Sequence, residues 1–131
     1  MTISLRYFNE RADPRLYEHI EEMDVEFLHW IDEVRHQAGV PFIITSAWRT
    51  GSGLHPLGRA VDFATPGSRA RDSQRYYEEL FKITKAVMKI PTHGSVEIQL
   101  ELVKGPEDWH VHIGWYELGW PGPSKLVLAL D

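Results

Sequence analysis

Three features of this sequence predict an α+β domain, with two main helices packed on one face of a small, mostly antiparallel sheet. Two long stretches carry apolar residues at helical spacing. Short β-branched runs lie between and after them. The runs at 96–103 and 109–113 alternate apolar and polar residues and are separated by Lys104-Gly105-Pro106, the pattern of an antiparallel hairpin. The chain has 131 residues, enough to bury a real core and too few for two ordinary domains, so 1–131 reads as one unit.

Asp13-Pro14 is a helix start, a capping side chain followed by Pro at the first helical position. Leu16, Ile20, Met23, Phe27, Ile31 and Val34 then recur at spacings of 4, 3, 4, 4 and 3, up to Ala38-Gly39, where glycine suits a left-handed cap. Twenty-five residues is long for a globular helix, and Asp24 marks where it can break. Residues 40–45 (VPFIIT) read as a buried strand. Residues 46–68 read as loop, except for a second strand over 59–63 (RAVDF). The second helix is predicted over 68–90, with Tyr76, Leu80, Ile83, Val87 and Ile90 at spacings of 4, 3, 4 and 3, closed by Pro91 and Gly94. The hairpin follows, then a turn-like stretch over 118–123 and an apolar end over 125–130 that suits an edge strand.

Composition excludes several functions. Fourteen Lys and Arg against nineteen Asp and Glu leave a formal net charge of −5, the wrong sign for displacing counterions from nucleic acid. The absence of cysteine excludes disulfides, thiolate zinc sites, iron–sulfur clusters and thiol catalysis. The N-terminal stretch carries charges every few residues, and no segment reaches the ~20 apolar residues of a membrane span. These features lead to the expectation of a monomer made in the cytoplasm, with no membrane partner.

Two segments carry chemistry. In Glu107-Asp108-Trp109-His110-Val111-His112-Ile113, strand parity projects His110 and His112 to one face, with two carboxylates just before them. Trp109, Val111, Ile113 and Trp115 take the opposite, buried face. Alone, such a pair reads more readily as two ordinary histidines than as a metal site. The second segment is Ser46 to Asp62, in which His55 and Asp62 stand seven apart with Pro56 and Gly58 between. That spacing misses a common helix face but suits a loop turning into a strand. With one histidine of the hairpin it supplies two nitrogens and one carboxylate, a three-ligand zinc set that leaves a position for water. A single carboxylate keeps the centre positive, which acidifies that water. His19, His29 and His36 read as solvated helix residues and His93 as a loop residue. Arg69, Arg71 and Arg75 read as a solvated helix start, a weak candidate for holding an anion.

Taken together, the two segments resemble the M15-type zinc peptidases: D,D-carboxypeptidases, D-Ala-D-Ala dipeptidases and phage L-Ala-D-Glu endolysins. Their first motif, S-x-H-x-x-G-x-A-x-D, is matched by His55, Gly58, Ala60 and Asp62, with Gly53 at the serine position and Ser52 one residue earlier. Their later H-x-H strand is matched by His110-Val111-His112, and Ser46-Ala47-Trp48-Arg49-Thr50 is similar to their S-G-Y-R-S stretch. The likeness covers about residues 24–115. It implies a hedgehog/D,D-peptidase-like fold, Zn2+ held by His55, Asp62 and His112, and His110 beside the metal. It further implies that Arg49 contacts substrate and that Glu107 or Asp108 acts as general base. The implied activity is hydrolysis of an amide in peptidoglycan peptide, by an endolysin released through a membrane lesion or by a cytoplasmic dipeptidase. A non-catalytic zinc-containing wall-binding module of the same fold is the alternative.

Overall fold

The computed structural model describes residues 3–91, 96–101, 108–115 and 125–129. Helix α1 (Pro14–Tyr17) and a 3-10 turn (Ile20–Glu22) lead into α2 (Val25–Ala38). The long apolar stripe therefore breaks twice, at Glu18–His19, where the expected helix gives way to the 3-10 turn, and at Asp24, whose backbone is extended and whose side chain accepts from the Phe27 N–H at 3.0 Å to cap α2. Gly39 closes α2 in the left-handed conformation, with φ 65°. The predicted helix over 68–90 is corrected to two, α3 (Pro66–Arg69) and α4 (Ser73–Lys89). Arg71 turns the chain between them with φ 56°, and Asp72 caps α4 through the Arg75 N–H at 3.1 Å. Buried Glu79 of α4 ties the pair together by accepting from the Thr65 hydroxyl at 2.7 Å and the Gly67 N–H at 2.9 Å.

Among the described residues five strands form one sheet: β1 (Ile43–Ser46), β2 (Ala60–Ala64), β3 (Val96–Glu101), β4 (Val111–Trp115) and β5 (Lys125–Ala129). Their order is β1-β2-β4-β3-β5. All neighbours are antiparallel except β5, which lies at the edge, parallel to β3. β1 begins at Ile43 rather than at residue 40, since Pro41 has no N–H for the ladder. β2 starts one residue later than predicted, at Ala60. His93, the turn at 104–106, Glu107 and the stretch 118–123 lie outside the described residues.

Alternation sorts the strands' side chains into two faces. Val61 and Phe63, Val96, Ile98 and Leu100, and Val111, Ile113 and Trp115 all enter one core with α2 and α4. The Trp115 ring lies 6.2 Å from that of Phe27 and 6.4 Å from that of Trp30. Each large apolar side chain so buried contributes about 1.5–3 kcal/mol. The helix layer covers that face, and Asp62, Glu97, Gln99 and His112 are left on the other, lining a cleft. Among the described residues no helix is long and apolar enough to cross a membrane.

The loop that returns to β2 is pinned to the α1–α2 junction. Asp24 donates its N–H to the Gly58 carbonyl at 3.0 Å, and the Asp24 carboxylate takes the Arg59 Nε–H at 3.0 Å. Gly58 has φ 71°, and a Cβ there would overlap the Glu22 carbonyl and come within 2.7 Å of Met23 Cα and 2.8 Å of Asp24 N. Gly58→Ala is expected to cost about 2–5 kcal/mol, the left-handed penalty plus overpacking, in urea unfolding. Gly53→Ala, where φ is 88° but no atom lies within 4 Å of the added carbon, should lose only the conformational part, about 1–2 kcal/mol.

Candidate metal centre

Strand register lays the polar face out in a row. Ser46 is paired with Asp62, Asp62 with His112, and His112 with Gln99. Residues opposed in this way bring their Cβ atoms to about 4.5–5.5 Å, so Asp62 and His112 meet with no help from a loop. His55 arrives from outside the sheet. It opens a 3-10 turn, His55–Leu57, which Gly58 closes by donating its N–H to the His55 carbonyl at 3.0 Å. The Trp48 indole N–H holds the Pro56 carbonyl at 3.1 Å, folding the loop back over its own start. His55 ends 3% exposed.

The hydrogen bonds assign the His55 nitrogens. His55 Nδ1 lies 2.6 Å from the Ala47 carbonyl, which can only accept, so Nδ1 carries the hydrogen and Nε2 of the neutral ring keeps a lone pair. That Nε2 is buried without a hydrogen-bond partner, 3.4 Å from Asp62 Oδ1. His112 Nδ1 lies 2.8 Å from the same oxygen. The donor atoms of His55, Asp62 and His112 all fall within 4.8 Å of one another. A lone pair facing a carboxylate oxygen calls for positive charge between them, and the buried, unpartnered Nε2 is such a place. The three residues could hold a metal ion.

Asp62 is ionised in this setting. Burial pushes its pKa up, but the two imidazoles beside it, His112 Nδ1 at 2.8 Å and His55 Nε2 at 3.4 Å, outweigh that and hold the carboxyl far below its ordinary range.

The group sits in a cleft of about 690 Å³, whose lining includes Arg49, Leu54, Glu97 and His110. Arg49 donates through one amino group to Ser46 Oγ at 2.8 Å and lies 3.4 Å from Asp62 Oδ2, while its side chain is 55% exposed. It is therefore anchored at the base and open to the cleft. His110 donates Nδ1–H to the Asp108 carbonyl at 2.8 Å. Its own carbonyl accepts from the Tyr76 hydroxyl at 3.1 Å, and the Tyr76 ring stacks on Trp109 at 5.0 Å, so α4 positions the start of β4.

The sequence-predicted residues thus divide. Arg49, His55, Asp62, His110 and His112 gather at the cleft. Asp108 is exposed and does not line it, and Glu107 lies outside the described residues. His19 and His36 sit elsewhere, against Trp48 at 5.1 Å and Tyr7 at 4.7 Å, and His29 is exposed. Arg69, Arg71 and Arg75 are exposed beyond the cleft.

Glu97 was not among the sequence candidates, yet its Oε1 lies 3.0 Å from His112 Nε2. The alternation of Val96, Ile98 and Leu100 already placed Glu97 on the polar face of β3. Only the hairpin's register brings it to His112.

Fold and centre together define an α+β domain with a two-histidine, one-aspartate group that could hold a metal ion in an open cleft. No family model, curated protein or solved structure matches the chain. Zinc titration should raise the melting temperature, because binding to the folded state alone stabilises it by about 2.7 kcal/mol when free metal is ~100 times Kd. Chelator should reverse the rise. His55→Ala, Asp62→Ala and His112→Ala should each abolish it, and a full zinc-induced shift in Asp62→Ala would show that the ligand set is different.

Proposed function

We propose that this chain is a zinc-dependent peptidase that hydrolyses an amide bond in bacterial peptidoglycan peptides. The observation that carries the reading is the buried His55 Nε2, without a hydrogen-bond partner and aimed at Asp62 beside His112. Two imidazoles and one carboxylate suit zinc better than magnesium or calcium, which take more oxygens. Zinc bound there would supply Lewis acidity toward a scissile carbonyl and a water acidified toward neutral pH. The likeness of Ser46–Asp62 and His110–His112 to the M15-type motifs directs the reading to cell-wall peptide, with the chain acting as a phage or prophage endolysin.

The chain's own residues take the remaining tasks. Arg49, held at its base by Ser46 and Asp62, offers its guanidinium to a substrate carboxylate. The Asp108 carbonyl fixes His110 as the Nδ1–H form when neutral. A protonated His110 can donate from Nε2 to the oxygen that gains charge as the amide is attacked. With Asp108 exposed, we assign to Glu107 the proton transfer from attacking water to leaving amine. The exposure of Asp108 also favours a second reading, a non-catalytic zinc-containing wall-binding module with no carboxylate to move that proton.

Incubation with purified peptidoglycan, with and without chelator, separates the two when released peptides are followed by mass spectrometry. Chelator-sensitive release supports the peptidase; zinc uptake and wall binding without release supports the module. In the peptidase, Glu107→Gln should keep zinc and lose about 10²–10⁴-fold in rate. His110→Ala should keep zinc and lose less. If Glu107→Gln cleaves at the wild-type rate while Asp108→Asn is dead, the base is Asp108.

A further inference from the structure

Glu97 of β3 stands at the far side of the His112 ring from Asp62. Its Oε1 lies 3.0 Å from Nε2, while Nδ1 lies 2.8 Å from Asp62 Oδ1. The two nitrogens of an imidazole point in diverging directions, so a group bonded to one cannot reach an ion held by the other. An ionised carboxylate only accepts, and a contact with Glu97 therefore places a hydrogen on Nε2. Nδ1, 2.8 Å from Asp62 Oδ1, is the nitrogen on the side of the donor cluster, and a cation taking the place of the hydrogen between them would find its lone pair at the point toward which His55 Nε2 also faces. From this geometry we infer that Glu97 is the positioning residue of the metal centre: it fixes the orientation and the protonated nitrogen of His112, so that the ring ligates through Nδ1. The inference rests on reading His55, Asp62 and His112 as metal ligands.

Two further observations support this role. His55 is held in the same way with the nitrogens exchanged, its Nδ1–H given to the Ala47 carbonyl at 2.6 Å, so both rings are braced from behind by an acceptor. A carboxylate brace also makes its imidazole a more basic ligand than a carbonyl does. The second is Gly114, which stands directly opposite Glu97 in the β3–β4 register. A Cβ at Gly114 would overlap Leu54 and lie 3.2 Å from His112 Nε2. The missing side chain leaves open the diagonal path along which Glu97 reaches His112. Glu97 is thus not a candidate for the proton-transferring base, because it bonds the nitrogen that faces away from the donor cluster.

The test measures zinc affinity by competition with a chromophoric chelator. Alongside it, proton NMR of the cobalt-substituted chain follows the shifted, exchangeable Nε2–H of His112. Glu97→Ala should raise the zinc Kd about 10–100-fold and speed exchange of that proton with solvent. Glu97→Thr, suited to a strand but too short to reach the ring, should do the same and serves if the alanine variant fails to fold. Glu97→Gln keeps an oxygen that accepts from Nε2 and should recover most of the affinity. A role confined to folding would lower the melting temperature of the metal-free protein and leave Kd and proton exchange unchanged. That result, in a protein that still takes up zinc, overturns the assignment of Glu97 alone. A wild-type chain that binds neither zinc nor cobalt overturns the metal centre, and the role of Glu97 with it.

Discussion

The pairing register of β2, β4 and β3 is the constraint on which the centre depends. Val61, Phe63, Val111, Ile113, Val96 and Ile98 are all less than 4% exposed beneath the helices. Their burial leaves Asp62 opposite His112 and His112 opposite Gln99 on the other face. A slip of one residue in β4 would drive His112 into the apolar layer and lift Val111 and Ile113 out of it. Burial of each of those side chains is worth about 1.5–3 kcal/mol, more than a typical polar contact contributes, so the core holds the polar row in place and not the reverse.

Asp24 couples the helix layer to the loop that delivers His55. Its side chain caps α2 and takes the Arg59 guanidinium, while its N–H holds the Gly58 carbonyl. Arg59 returns the connection to the sheet, its carbonyl accepting from the Trp115 N–H at 2.8 Å. The break in the helical stripe at Asp24 is therefore also the seat of the loop that carries His55. A capping residue with a second acceptor oxygen can serve both ends, whereas an uninterrupted helix would offer no unpaired backbone N–H at that point.

The electrostatic character of the cleft follows from two carboxylates set against its imidazoles. Asp62 faces two imidazoles and one arginine, and Glu97 braces the more exposed of the two rings. Both carboxylates are mostly buried, at 15% and 17% side-chain exposure. Negative charge held there in a low-dielectric setting favours a cation at the shared point and, at the rim, an arginine ready for an anionic group. The same arrangement separates the carboxylate that would touch a metal from the one that aims a ligand.

Periodicity and local chemistry made much of this legible in the sequence. The apolar stripes of α2 and α4, the αL glycine at 39 and the alternating strands follow from spacing, because side-chain direction in regular structure is a local property. Spacing also offered His55, Asp62 and a hairpin histidine as one ligand set, but the β2–β4 register and the turn at His55 make them meet. The break at Asp24 was legible for the same reason, since an N-cap is a short-range signal. The division of 66–89 at Arg71 was not, because it depends on Glu79 reaching back from α4 to the Thr65 hydroxyl and the Gly67 N–H. Nor was Glu97, whose polar position in a strand is unremarkable until β3 pairs with β4 and Gly114 clears its way to His112. Which ring nitrogen faces the centre was likewise a tertiary matter. It depends on acceptors at Ala47 and Glu97, 8 and 15 residues from the rings they hold, and nothing local to a histidine encodes which of its nitrogens will meet one.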